Sequence, residues 1–195
     1  MPWLKETTLN AVASDTPDAI VSASLKLDIG CGKNKRPGFA GVDAIDFPGV
    51  DHVLDVRKTP WPFVADSVQE VYCSHFVEHL TGAERVGFFN ELYRVMAWEA
   101  TARVIVPSWT NDCAYGDPTH QWPPVSGWMV FYLEKSWRDR NAPHVGYTCD
   151  FDGRTATSSE QWLNTQNQDV KTFAVQHYVN SASELIFTLV KRKRT

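Results

Sequence analysis

Residues 25–46 read LKLDIGCGKNKRPGFAGVDAID. Leu25–Ile29 is an apolar run carrying Asp28, and it predicts a first strand. The run ends at Gly30 and Gly32, with Cys31 between them. Glycine directly after a strand lets the backbone turn tightly and approach a ligand closely. Free N–H groups at such a bend can hold a carboxylate or phosphate. A second apolar run, Gly41–Ile45, follows and carries Asp43.

Outward from this stretch, short apolar runs alternate with a helical pattern. Val50–Val56 predicts a third strand and Val68–Ser74 a fourth. Thr81 and Glu84 then stand at capping-box spacing. Val86, Phe89, Tyr93 and Met96 follow at helical spacing, with Phe88, Leu92 and Val95 widening the stripe. Ala102–Val106 predicts a fifth strand, closed by Pro107. Strands alternating with a helix indicate an α/β fold with a parallel sheet and crossovers. Beyond Pro107 the composition shifts, with Trp109, Trp122, Trp128 and Trp137 within 31 residues, 107–137. A helix is expected over Ser126–Arg138, a sixth strand over Val145–Phe151, and mainly helix from Thr157, with Glu160 at capping-box spacing, to about Tyr178. Glu184–Val190 predicts the last strand. Residues 171–179 allow a second reading, as a strand in a hairpin with 184–190.

The acids sharpen the glycine signal. Asp28, Asp43 and Asp55 fall at the ends of the first three strands, so three carboxylates would line one edge of the sheet. In an open parallel sheet that edge is where ligands bind. A row of uncompensated negative charge costs stability. It makes sense if the ligand brings an amine, hydroxyls and an exocyclic amino group, as S-adenosylmethionine (SAM) does. A dinucleotide site fits worse. Its GxGxxG fingerprint needs a third glycine, but Asn34 and Lys35 follow Lys33, and Asp43 comes too early for the usual acid about 20 residues on.

Composition narrows the class. Net charge is −4, which argues against nucleic acid as the main partner. Cys31, Cys73, Cys113 and Cys149 are far apart and read as reduced thiols of a cytoplasmic protein. No apolar run approaches the ~18 residues of a membrane span, so no membrane is expected as a partner. The terminal run Lys191-Arg192-Lys193-Arg194 reads as a solvated tail.

LDIGCG, GVDAID, LDVRKTPWPFVADSVQEVYCSHFVEHL and ARVIVPS together resemble a class I SAM-dependent methyltransferase. The resemblance is strongest over residues 25–107. DPTHQW (117–122) and the closing HYVNSASELIFTLVKR are similar to small methyltransferases of the kind found in phage and in surface-polysaccharide gene clusters. The resemblance implies a Rossmann-like, doubly wound, seven-stranded sheet, mostly parallel with an antiparallel C-terminal strand. It implies one domain over 1–195: an arm at 1–24, a cofactor-binding core at 25–107, a substrate or lid region at 108–183, and the last strand at 184–191. Gly30 and Gly32, with Cys31, would approach the methionine part of SAM, and Asp28 its amino group. Asp43, followed by Ala44, would take the ribose hydroxyls, or Asp46 if the register differs. Asp55 would accept from adenine N6, with the Val56 N–H facing the ring. Ser74 and His75 would border the sulfonium. One departure stands out: the stretch between Gly32 and Val42 is too short for the usual long first helix, so the first crossover must be a loop or a single turn.

Methyl transfer to a hydroxyl benefits from a base near neutral pKa. His120 is the first candidate and His75 the second, with Asp117 as the orienting partner. Asp117-Pro118 also reads as a plain turn or helix opening. His75 and His79 are four apart, but the nearby third ligand is Cys73, on a strand, so no metal is expected. Glu78 and His79 would instead tie the strand end to the following helix. The tryptophans would form a lid, a substrate wall or core. The expected function is methyl transfer from SAM to a small-molecule or sugar-type acceptor. The alternative is a non-catalytic SAM-binding, partner-binding module of the same fold.

Overall fold

The computed structural model describes residues 24–192; the expected arm lies outside them but for Ser24. Seven strands form one sheet: β1 (Leu25–Ile29), β2 (Ala40–Asp43), β3 (His52–Val53), β4 (Val68–Ser74), β5 (Met96–Pro107), β6 (Phe151–Ser159) and β7 (Ala182–Lys191). Their spatial order is β3-β2-β1-β4-β5-β7-β6. β7 is antiparallel to both β5 and β6, so β6 runs the same way as β1–β5. The chain steps outward from β1 to β3, then returns to place β4 on the other side of β1. That reversal opens a crevice beyond the carboxyl ends of β1 and β4.

The sheet is built on the expected apolar runs. Leu27 and Ile29 pair in register with Val71 and Cys73, and all four are almost wholly buried. Helix α1 (Gly82–Val95) starts at the capping box: Thr81 Oγ1 accepts from Glu84 N, and Glu84 Oε2 accepts from Thr81 N. Its buried face presents Phe88, Phe89 and Leu92 to the core. Burial of each such side chain contributes about 1.5–3 kcal/mol. Met96 caps the helix and begins β5 without a loop. The β1–β2 crossover is a loop, as the sequence requires, turned by Asn34 N to Cys31 O and Phe39 N to Arg36 O bonds.

Several boundaries differ from expectation. β2 ends at Asp43 because Ile45 N turns back to donate to Asp43 Oδ1. β3 keeps two ladder residues, although flanking bonds from Asp51 N to Gly41 O and Leu54 N to Asp43 O extend its contact with β2. The helix expected over 126–138 is broken at Glu134, whose extended backbone separates α3 (Met129–Leu133) from α4 (Lys135–Asn141). Residues 145–150 are not strand. β6 lies later, and its pairing with β7 carries Thr157 into the sheet opposite Leu185. The Thr157 cap is therefore absent. After a 3-10 turn at Gln161–Thr165, helix α5 (Gln168–His177) opens at Asn167, which accepts from Val170 N. That helix overturns the 171–179 hairpin. Between β5 and α3 a single turn, α2 (Cys113–Gly116), follows Pro107.

Lys191 is no tail residue. Only 2% exposed, it bonds Asp66 and the Met96 carbonyl and lies over the rings of Tyr93 and Trp98. Arg192 pairs with Glu134 and Asp150. All four cysteines are free thiols. No helix among the described residues is long and apolar enough to cross a membrane.

Candidate active site

β1 ends in a tight bend. Gly30 has φ +70° and Gly32 φ +52°. A Cβ on Gly30 would meet Phe76 at 2.9 Å, while Gly32 faces open space. The Gly30 amide donates to the Val42 carbonyl and the Gly32 amide to Asp43 Oδ2 at 2.9 Å. Asp43 also accepts from Ile45 N through Oδ1. Each carboxylate oxygen keeps a lone pair for a further donor.

Beyond this bend lies a cavity of about 400 Å³. Of the residues singled out in the sequence, Gly30, Asp43, Ala44, Asp55, Val56 and His75 line it. Ile45, Phe47 and Leu54 supply an apolar wall that the sequence reading missed. These residues sit in irregular loops, where no helix or strand period marks a wall.

Four expected residues do not line this cavity. Asp28 is buried, and its Oδ2 accepts from Arg36 N at 2.7 Å. Burial raises its pKa, against the lowering effect of that bond and of the Arg36 charge. It pins the β1–β2 loop, whose Arg36 guanidinium stacks over Tyr72. Cys31 is buried, with its Sγ directed at the Gly32 carbonyl. Gly32 contributes its amide to Asp43, and Ser74 ends β4 outside the lining. Asp46 is exposed and takes no part.

Asp55 lines the cavity but is already paired. Arg57 reaches it through Nε at 2.8 Å and through a second guanidinium nitrogen at 3.0 Å. That pairing, chiefly, lowers the Asp55 pKa.

A second, larger cavity of about 1080 Å³ opens beyond β4, β5 and β7. His120, Asp117 and His75 line it, as do Asn111, Glu160 and Glu184. His75 therefore borders both cavities. Its backbone is left-handed, φ +54°, a conformation uncommon for residues other than glycine. Its ring stands between two carboxylates, Nδ1 at 3.3 Å from Glu78 Oε1 and Nε2 at 3.0 Å from Glu184 Oε1. Glu78 first, then Glu184, holds the imidazolium up to about pKa 9 against the opposing effect of burial. At neutral pH this ring has no lone pair to take a proton.

His120 is different. Its Nδ1 is 3.2 Å from the Ala114 carbonyl, which can only accept, so Nδ1 carries the hydrogen. Nε2 is left with its lone pair, 3.9 Å from Asp117 Oδ2. Asp117 Oδ1 accepts from both the amide and hydroxyl of Thr119, which lowers its pKa. Because Thr119 Oγ1 gives its hydrogen to Asp117, it accepts from His79 Nδ1 at 2.9 Å. The rings of His79 and His120 meet edge to face, centroids 4.7 Å apart. Glu78 and His79 thus tie β4 to the 117–122 stretch, with Gln121 N donating to the Glu78 carbonyl. Trp109, Trp122 and Trp128 are exposed and line neither cavity.

The fold has relatives among solved structures. A SAM-dependent methyltransferase from Archaeoglobus fulgidus superposes with a TM-score of 0.62, at 20% identity over 87% of this chain and 86% of that one. A candidate sarcosine dimethylglycine methyltransferase from Galdieria sulphuraria gives 0.54, at 11% identity over 90% and 79%. A complex between the Haloferax volcanii Trm112 methyltransferase activator and a candidate methyltransferase gives 0.53, at 14% identity over 90% and 85%. This chain has the Rossmann-like methyltransferase fold. No family model matches it, and no curated protein matches its sequence. Within the methyltransferase fold, the smaller cavity lies at the carboxyl ends of β1–β3 and the larger one beyond β4 and β5.

Proposed function

We propose that the chain transfers a methyl group from SAM to a small-molecule or sugar-type acceptor. The observation that carries this reading is the pair of cavities meeting at His75, one edged by the glycine bend and Asp43, the other by His120 and Asp117. The residues of the smaller cavity fit SAM. Asp43 keeps lone pairs for a ribose diol, and Ile45, Phe47 and Leu54 offer an apolar wall to adenine. Gly30 leaves its side of the cavity free of a side chain.

SAM supplies an electrophilic methyl carbon, and the protein supplies position and electrostatics. The acceptor atom must stand about 3–3.5 Å from that carbon, in line with the departing sulfur. An acceptor in the larger cavity approaches from the side of His120. The His120 Nε2 lone pair takes a hydroxyl proton there, with Asp117 beside it to stabilise the imidazolium. A small polar acceptor suits a chain of net charge −4 better than nucleic acid does.

The Arg57–Asp55 pair, which occupies the expected adenine acceptor, favours a second reading, a non-catalytic SAM-binding, partner-binding module of the same fold. Calorimetry with SAM and S-adenosylhomocysteine (SAH), followed by turnover of SAM with polar small-molecule extracts, separates the readings. Binding with turnover supports the enzyme, and binding without turnover supports the module. No binding of either compound overturns both.

A further inference from the structure

Glu78 is 4% exposed, and neither of its carboxylate oxygens makes a hydrogen bond. A buried carboxylate left so is costly unless a cation meets it. Arg85, the buried guanidinium near enough to feel its charge, bonds the Pro123 and Gln121 carbonyls instead. The His75 ring meets the Glu78 charge, Nδ1 3.3 Å from Oε1, but without hydrogen-bond geometry, so both oxygens keep lone pairs for a metal ion. His79 and His120 converge on the same carboxylate: one ligand atom from each of the three lies within 4.8 Å of the others.

The second layer is built as metal-binding imidazoles require. Such rings donate their other N–H to a carbonyl or to a carboxylate-linked group, which fixes the tautomer. His120 Nδ1–H points to the Ala114 carbonyl, and His79 Nδ1–H to Thr119 Oγ1, which is itself anchored on Asp117. Both rings therefore keep the Nε2 lone pair. We propose that Glu78, His79 and His120 bind a zinc-class divalent cation in the wall between the two cavities.

Two imidazoles and one carboxylate suit zinc and its first-row neighbours, whereas magnesium and calcium prefer oxygen alone. Ligand atoms around tetrahedral zinc stand about 3.3 Å apart, so the three groups close by no more than about 1.5 Å on binding. Three protein ligands leave a position open. His120 lines the larger cavity and His79 the smaller, so that position is at the junction. The role, though not the binding, rests on the methyltransferase reading: with the ion on its lone pair His120 is a ligand instead of the base, the ion would lower the pKa of the acceptor hydroxyl, and the proton would pass to solvent. In the sequence His79 stands near His75 and Cys73; the partner that matters is His120, 41 positions away.

The test is titration of zinc chloride into the EDTA-stripped full chain by calorimetry. One zinc per chain with a Kd of about 1 µM or tighter is expected. His79→Ala and His120→Ala, checked for folding by circular dichroism, weaken it about tenfold or more, and so does Thr119→Val through His79. Cobalt(II) gives a visible ligand-field band that His120→Ala abolishes. Cys113→Ser, at an exposed thiol in the larger cavity, leaves zinc affinity unchanged. No saturable binding, wild-type affinity in the histidine variants, or loss of binding in Cys113→Ser overturns the site. SAH titration in EDTA reads the methyltransferase proposal separately: its failure removes that function and leaves the zinc result standing.

Discussion

The amide of Gly32 donates to Asp43 Oδ2 at 2.9 Å. The bend after β1 and the acid at the end of β2 are therefore one unit, set by a hydrogen bond across the first crossover. Removing Asp43 frees the bend and, on the proposed reading, takes away the ribose acceptor with it. Asp43→Ala is expected to weaken SAH binding about tenfold or more, since a hydrogen bond to a charged group is worth about 1.5–3 kcal/mol. Asp43→Asn keeps one acceptor oxygen and falls between. Calorimetry reads both; unchanged affinity in Asp43→Ala removes the ribose role.

The two glycines of the bend differ in what they exclude. Both have positive φ, which costs another residue about 1–2 kcal/mol. At Gly32 that is the whole cost, because a Cβ meets nothing within 4 Å. At Gly30 the Cβ also meets Phe76 at 2.9 Å, adding an overpacking cost of about 1–3 kcal/mol. Gly30→Ala should therefore lower the unfolding midpoint more than Gly32→Ala. Phe76→Ala in the Gly30→Ala background should make the added cost of the alanine smaller than in wild type. Equal midpoints for the two single variants would contradict the Phe76 contact.

Asp28 illustrates where sequence pattern stops. Its place at a strand end suggested cofactor contact, yet its carboxylate is turned onto Arg36 N. Asp28→Ala is expected to destabilise by about 1–3 kcal/mol through the lost bond, with SAH affinity changing less than about threefold. Denaturant titration and calorimetry measure the two effects.

The central strands were legible because their signal is local. β1 and β4 are apolar runs buried on the core face, and both match the expected limits to the residue. β6 was misplaced because FDGRTATSS is an edge strand of small and polar residues. What makes it a strand is its ladder with β7, a partner remote in sequence. The same holds in the site. Asp43 and the glycine bend stand within one short stretch, and Arg57 is two residues from Asp55, but the meeting of His79 with His120 depends on tertiary placement.

Acid should weaken the fold through particular carboxylates. Glu84 is held below its ordinary pKa by the Thr81 amide first and then its hydroxyl, and Asp51 by Lys35 and then the Gly41 amide. A folded pKa below the unfolded one means the contribution is present above the unfolded value. It is lost as pH falls through the folded value. The decline therefore begins near the ordinary carboxyl values of 4.5 for Glu84 and 3.8 for Asp51 and continues below them. Asp28 acts oppositely: its raised pKa means protonation relieves a burial cost as pH falls toward 3.8. Urea unfolding across an acid pH series should show a shallower loss in Glu84→Gln than in wild type. An identical slope in the variant removes the capping box as a source of acid sensitivity.

On the proposed reading, Arg57 and Asp55 decide whether the adenine edge is open. Asp55 can accept an exocyclic amino hydrogen only with a lone pair left over by the bidentate guanidinium. Arg57 is 54% exposed and Asp55 23%, so the pair is partly solvated and contributes no more than about 1 kcal/mol. That bounds what releasing it can return to a ligand. Arg57→Ala should bind SAH up to about fivefold more tightly, and Asp55→Ala less tightly than wild type. In Arg57→Ala/Asp55→Ala the gain from losing the arginine should vanish, because no carboxylate remains to be freed. If Arg57→Ala instead weakens SAH binding, the guanidinium itself contacts the ligand, and Asp55 serves as its anchor rather than as the adenine acceptor.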